Sequence, residues 1–168
     1  LFDTDANNRR YLDGVQFAEQ KADRSYGRVP DGGDDFFYLY TPAANAPFVS
    51  PGFFNRYDGR RTGSLLNFDL KATGSARINQ TVTLRLEGGT ANGAAGLLIC
   101  FAPFKFDLPP LGIVGVNPVP SLGVVVPLDG AGLGTFNLAI PVGTAGTAVY
   151  CQALNVDLSN ALAFLIAR

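Results

Sequence analysis

The sequence predicts an all-β chain, an antiparallel sandwich with Greek-key links, and three observations carry that prediction. Apolar and polar residues alternate with period two in several segments, the pattern of a strand with one wet and one dry face. The 20 Gly and 11 Pro break helical runs. Turn chemistry separates the apolar runs at short spacing, at Gly88-Gly89, Asn92-Gly93, Pro109-Pro110, Asp129-Gly130 and Thr144-Ala145-Gly146.

Taken in order, eight strands are expected after residue 61, at intervals of roughly 10 to 15 residues. The first, near 63–73, alternates Leu66, Phe68 and Leu70 against Asn67, Asp69 and Lys71. The second, near 80–87, alternates without a fault from Thr81 through Val82, Thr83, Leu84, Arg85 and Leu86 to Glu87. A third near 95–104, a fourth near 111–116 and a fifth near 121–127 are apolar on successive positions. The sixth, near 133–140, alternates again at Phe136, Leu138 and Ile140 and stops at Pro141. The last two lie near 147–156 and 160–167, and the runs Gly96–Phe101, Leu122–Val126, Ala148–Val156 and Ala161–Ile166 are apolar on both faces, which suits central strands covered on both sides. Their β-branched content and flanking Gly and Pro favour strand over a short buried helix.

Residues 1–61 differ in kind. They hold 9 acidic and 8 basic side chains and an aromatic cluster at Phe36, Phe37, Tyr38, Tyr40, Phe48, Phe53, Phe54 and Tyr57, with strand candidates at Leu12–Phe17 and Phe36–Tyr40. So few strands hardly close a core alone. The expected division is therefore 1–61 as a partial segment and linker, which must dock on the sandwich, on missing upstream sequence or on a partner, and 62–168 as the sandwich. Leu1 stands where a start Met would, so the expectation is a processed product or part of a longer chain.

Composition narrows the chemistry. The net charge of −1 disfavours nucleic acid, which selects basic surfaces. No run has the roughly 18 apolar residues of a membrane helix, so membrane insertion is not expected. The chain has no His, which removes Ser-His-Asp and Cys-His nucleophilic machinery and the usual zinc ligand. Ser25, Ser50, Ser64, Ser75, Ser121 and Ser159 therefore have no His base, and the only glutamates, Glu19 and Glu87, lie in different segments. Nothing selects a glycosidase pair from among the Asp residues. No enzyme activity and no cofactor are expected.

Two resemblances enter here. Leu1-Phe2-Asp3-Thr4-Asp5-Ala6-Asn7-Asn8, Leu12-Asp13-Gly14-Val15-Gln16-Phe17, Ser25-Tyr26-Gly27-Arg28-Val29-Pro30-Asp31-Gly32, Thr41-Pro42 and Asn45 follow the progression of the later part of a bacterial lamin-tail domain. The resemblance covers about residues 1–47 and implies an immunoglobulin-like sandwich. The family's opening strands have no counterpart here, and Ala43-Ala44 stand in place of its Pro-Gly. The second covers about 63–167. Gly146-Thr147-Ala148-Val149-Tyr150-Cys151-Gln152-Ala153-Leu154, then Leu158-Ser159-Asn160-Ala161-Leu162, resembles the ending of β-rich C-terminal regions in secreted bacterial proteins. That resemblance implies an extracellular or cell-surface location and no reaction.

Several candidate sites follow from residue types. Asp3, Asp5 and Asn7 begin like an EF-hand calcium loop, but Asn8 and Gly14 stand where Gly and Glu are required. They are weak metal candidates, as are Asp31, Asp34 and Asp35; an Asp-rich solvated turn is the simpler reading. Arg9, Arg10, Arg24, Arg28, Arg56, Arg60 and Arg61, among nine acids and many aromatics, suit a docking surface, with a phosphate or polysaccharide site as the sharper alternative. Asn79-Gln80-Thr81 is a glycosylation sequon, which matters only in a eukaryotic secretory route. Cys100 and Cys151 are expected to form a disulfide, worth on the order of 4 kcal/mol for a loop of that size, with two buried free thiols as the alternative.

Only Asp129 and Asp157 carry charge between residues 108 and 167. A surface so poor in charge points to packing against a neighbour. The expected interface is Leu111, Ile113, Val114, Val116, Val119, Leu122, Val124, Val125 and Val126, with protein partners through self-association or a larger assembly. The rival is that this stretch folds inward. The reading is a secreted, non-catalytic structural or interaction protein. The alternatives are an accessory module of a secreted enzyme, or a carbohydrate- or calcium-binding module, for which exposed flat rings would be the mark of a sugar platform.

Overall fold

The alternation from Thr81 to Glu87 sets the geometry of one whole layer: Val82, Leu84 and Leu86 are buried while Thr81 and Arg85 face solvent. The computed structural model describes residues 68–109, 111–119 and 121–168, together with the backbone of three strands in the N-terminal segment. Twelve strands are described. Three come from that segment: β1 (Ser25–Arg28), β2 (Phe36–Leu39) and β3 (Phe54–Tyr57). Then follow β4 (Asp69–Gly74), β5 (Thr81–Glu87), β6 (Ala94–Cys100), β7 (Pro103–Leu108), β8 (Gly112–Val116), β9 (Ser121–Pro127), β10 (Gly134–Ala139), β11 (Ala148–Leu154) and β12 (Ala161–Leu165). No helix occurs among the described residues, so none there is long and apolar enough to cross a membrane.

All strand pairs between named strands are antiparallel. They form three layers. A three-stranded sheet in the order β10-β5-β4 lies on one side, a seven-stranded sheet in the order β1-β2-β3-β12-β11-β6-β9 in the middle, and the hairpin β7-β8 on the other side. The chain therefore runs from hairpin β4-β5 across to β6 and β9, back to β10, and across again to β11 and β12. Three strands against four in this connectivity make an immunoglobulin-like sandwich, with β7-β8 inserted between two neighbouring strands. The N-terminal segment does not stand apart from it at the backbone level. β3 pairs with β12, Ala161 opposite Tyr57, and so adds three strands to the same middle sheet. The candidate strand Leu12–Phe17 lies outside the described residues.

The main core fills the space between the small sheet and the middle sheet. Phe68, Leu70, Val82, Leu84 and Leu86 meet Leu97, Ile99, Val149, Cys151, Leu162 and Phe164 there. A smaller cluster lies between the middle sheet and the hairpin: Cys100, Val116, Tyr150, Ala161 and Ala163, with Leu98, Ile113 and Val114 against it. This second cover explains why β6, β11 and β12 read as apolar on both faces; the run Leu122–Val126, expected to be central for the same reason, is instead β9, the terminal strand of the sheet, with Leu122 and Val125 exposed. At the far end, the turn before β10 requires Gly132. Its φ is +73°, and a Cβ there would lie 2.1 Å from the Gly89 carbonyl oxygen, a contact no side chain can make.

Two expectations at strand level need correcting. The single strand near 95–104 is two strands, β6 and β7, separated by a bend at Phe101-Ala102. The signal for β7 was present: Phe104, Lys105, Phe106, Asp107 and Leu108 alternate apolar and charged. The expected disulfide is also absent: Cys100 and Cys151 are both free and buried. Cys100 pairs with Tyr150 and Cys151 with Ile99. That offset of one residue sends the two side chains to opposite faces of the sheet, Cys151 into the main core and Cys100 under the hairpin.

Candidate functional site

The polar residues buried in this molecule are Gln152, Asp157, Ser159 and Asn160 among the described residues, and all fall within one stretch of nine residues, 152–160. An unpaired buried polar group costs about 1–3 kcal/mol, so the destination of their hydrogen bonds decides what they do. Asn160 acts as a strand would. Its Oδ1 accepts the Leu70 N–H at 2.9 Å and its Nδ2 donates to the Leu70 carbonyl at 2.9 Å. Those backbone groups belong to the outer edge of β4, which no described strand pairs.

Gln152 does the same for the hairpin. Its Oε1 accepts the Gly115 N–H at 2.9 Å, and its Nε2 donates to the carbonyls of Ile113 and Ser159, each at 3.0 Å. Asn155 ties down the turn between β5 and β6. Its Oδ1 accepts from the N–H and hydroxyl of Thr90, and its Nδ2 donates to the Ala94 carbonyl. Ser159 accepts the Ala153 N–H and donates to the Asn160 carbonyl; the Asp157 carboxylate accepts the Leu158 N–H. The segment 152–160 is thus a hub that clips three distant pieces of backbone, and its polar atoms are spent on the fold. The sequence marked these residues, but as a family resemblance. Polar amides inside apolar strands were the physical signal.

The Cys100 thiol is engaged as well. The Cys100 Sγ lies 3.2 Å from the Ala102 carbonyl and 3.5 Å from that of Tyr150. Burial pushes its pKa up, opposed by hydrogen bonds from the backbone at Ala102 and Asn117. Burial pushes Cys151 up further, helped by Cys100 nearby, so neither is a ready nucleophile at neutral pH. Among the described residues no three or more His, Cys, Asp or Glu side chains gather as metal ligands. The metal candidates Asp3, Asp5 and Asn7, and Asp31, Asp34 and Asp35, lie outside the described residues, and of the arginine set only the backbone of Arg28 and Arg56 is described.

An open groove of about 700 Å³ runs between the turn at Asp129 and the polar face of the small sheet. Its charged groups already have partners. Asp129 Oδ1 accepts the N–H groups of Ala131 and Leu133, each at 2.9 Å. The Arg85 Nε–H lies 2.9 Å from a Glu87 oxygen, and Lys71 pairs with the other oxygen of Glu87.

What remains is apolar surface. Of the nine expected interface residues, Val116 and Val126 are core, which corrects that expectation: Val116 seals the cluster under the hairpin and Val126 the main core. Ile113, Val114 and Val124 are partly buried against those clusters, and Leu111 is half-buried. Val119, Leu122 and Val125 are exposed, at 74 %, 55 % and 75 %. Strand alternation divides the set, because successive residues face opposite ways. The structure adds residues that were missed: Phe101, Phe104, Phe106, Val142, Leu154 and Val156 are also exposed. The rings of Phe104 and Phe106 are stacked, with centroids 6.3 Å apart.

The exposed residues Phe101, Val119, Leu122 and Val125 lie around β9. That strand ends the middle sheet, and no described strand pairs with its outer edge. Phe101 follows Cys100, which pairs with Ser121. Leu154, Gly96 and Val125 form one cross-strand row on the face that the hairpin covers further along. β9 carries no charged residue, although proteins usually guard such edges with charge. Comparison with known proteins supplied no relative: no family model, no curated protein and no solved structure matches the chain.

Proposed function

We propose that the chain is a non-catalytic structural or interaction protein of the cell exterior, acting through protein–protein assembly or adhesion. One observation carries the reading: an uncharged terminal strand, β9, lies beside exposed Phe101, Val119, Leu122 and Val125. Apolar side chains grouped at an unguarded strand edge favour association. The buried polar residues support it from the other side, since they are occupied in holding layers together. The exterior location rests on the resemblance of residues 146–162 to secreted proteins.

The test is the size of the native particle. Size-exclusion chromatography with light scattering, applied to the surface and medium fractions of the producing cell, should find the chain in a particle larger than one chain. A single chain free of partners in both fractions defeats the reading.

One observation favours a second reading, a carbohydrate-binding module: the exposed, stacked Phe104 and Phe106 on β7 offer flat rings. Affinity electrophoresis in polysaccharide gels would show it as retardation that Phe104→Ala with Phe106→Ala abolishes. Equal mobility of the two proteins in every gel removes it.

A further inference from the structure

We infer that the partner at β9 is a second copy of this chain, whose own β9 adds antiparallel about a twofold axis at Val124 and joins the two middle sheets into one. The inference rests on the assembly reading and gives that reading a contact and a register.

Three features of the strand point to a copy of itself. The first is charge. Ser121-Leu122-Gly123-Val124-Val125-Val126-Pro127 has no ionised group, so two copies meet without the like-charge repulsion that guarded edges impose. The second is fit. In an antiparallel pair centred on Val124, each Val125 stands opposite the Gly123 of the other copy. Val125 is exposed and Gly123, also exposed, has no side chain to obstruct it. On the other face each Leu122, whose pairing with Ile99 places it on the core side of the sheet, stands opposite the second copy's Val126. Leu122 is more than half exposed in the single chain while Val126 is already buried at 2 %, so this face adds little to the contact beyond the ladder itself. Pro127, which has no N–H, falls opposite Ser121 at the end of the ladder, where a missing donor does least harm.

The third is area. Phe101, Val119, Leu122 and Val125 together expose roughly 500 Å² per copy, short of the lower bound of about 600 Å² a side for stable specific interfaces. The contact is therefore of the small, weak class, expected to dissociate in the micromolar range or above.

Sedimentation of the whole chain between about 1 and about 200 µM tests this range. A monomer–dimer equilibrium is expected. Val125→Lys, at an exposed position, should weaken it at least tenfold with an unchanged thermal midpoint. Val124→Cys tests the register: a self-paired residue has Cα atoms about 4.5–5.5 Å apart, within disulfide reach. Mild oxidation should then give a covalent dimer in much higher yield than Val119→Cys does.

A wild-type chain that stays monomeric overturns the contact; if the native particle is still larger than one chain, the assembly reading survives it. A dimer that Val125→Lys leaves unchanged overturns the β9 edge and leaves assembly standing. Equal cross-linking of the two cysteine variants overturns the register.

Discussion

The two faces of the middle sheet are held in different ways. Toward the small sheet it presents part of a cluster of eighteen buried residues built from long aliphatic and aromatic side chains. Toward the hairpin the buried cluster has five members, two of them alanines, and one amide, Gln152, makes the directional contacts. Burial free energy scales with apolar area, so the first face is secured by bulk. The second depends on a few specific bonds and is the layer that opens at lower cost. A layer with little core can thus be positioned accurately if its backbone is bonded to a buried side chain.

The largest effect is expected from injury to the large core. Leu97→Ala or Phe164→Ala, both fully buried, should lower stability to urea by about 3–5 kcal/mol. A loss below about 1 kcal/mol would mean that the core collapses around the cavity and that bulk is not what secures this face. Asn160→Leu comes next. It is of similar volume and leaves the Leu70 N–H and carbonyl without their partner, for a loss of about 2–4 kcal/mol; an unchanged denaturation midpoint would show that Asn160 does not act as the missing strand.

Gln152→Leu leaves the Gly115 N–H and the Ile113 and Ser159 carbonyls without their partner, so it should cost as much, about 2–4 kcal/mol, but act locally. Amide exchange is expected to quicken at Ile113–Val116 while β5 and β10 keep their protection. If protection falls equally everywhere, the hairpin is not a separable layer.

The smallest effect is alkaline. Both thiols have pKa values raised above the ordinary 9.0 by burial. The folded chain therefore holds protons that the unfolded chain releases. Their stabilising contribution is fully present below pH about 9 and is lost as pH rises above it. Between pH 8 and 10 stability should fall by about 1–2 kcal/mol, and Cys151→Ala should flatten most of that slope. A slope that survives the substitution assigns the loss to other groups.

Much of the sandwich was legible from residue order, because alternation and turn chemistry are local signals. Val82, Leu84 and Leu86 declare their face by their neighbours. The doubly apolar runs of β11 and β12 announced two covers. What covers them was not legible, since the pairing of Gln152 with Gly115 and of Asn160 with Leu70 spans 37 and 90 residues and leaves no periodic trace. The disulfide expectation failed for a related reason: hydrophobic context places Cys100 and Cys151 in strands, but only register decides which way each points. The apolar surface was half legible. A scarcity of charge located β9, while the division into exposed Val125 and buried Val126 required the register with β6.

The hub at 152–160 bears on the order in which the molecule can be completed. A ribosome releases a chain from its N-terminal side, so β4, the turn at Thr90 and the hairpin all emerge before the amides that clip them. Their bonds to that hub span 90, 65 and 37 residues. Closing loops of that length is slow compared with local pairing. Until Asn160 is free of the ribosome or of a translocation channel, β4 has an open edge and the hairpin has no amide to hold it. The sandwich therefore stays incomplete until the 152–160 segment has emerged, because its β4 edge, the Thr90 turn and the hairpin all wait on amides that follow them in the chain.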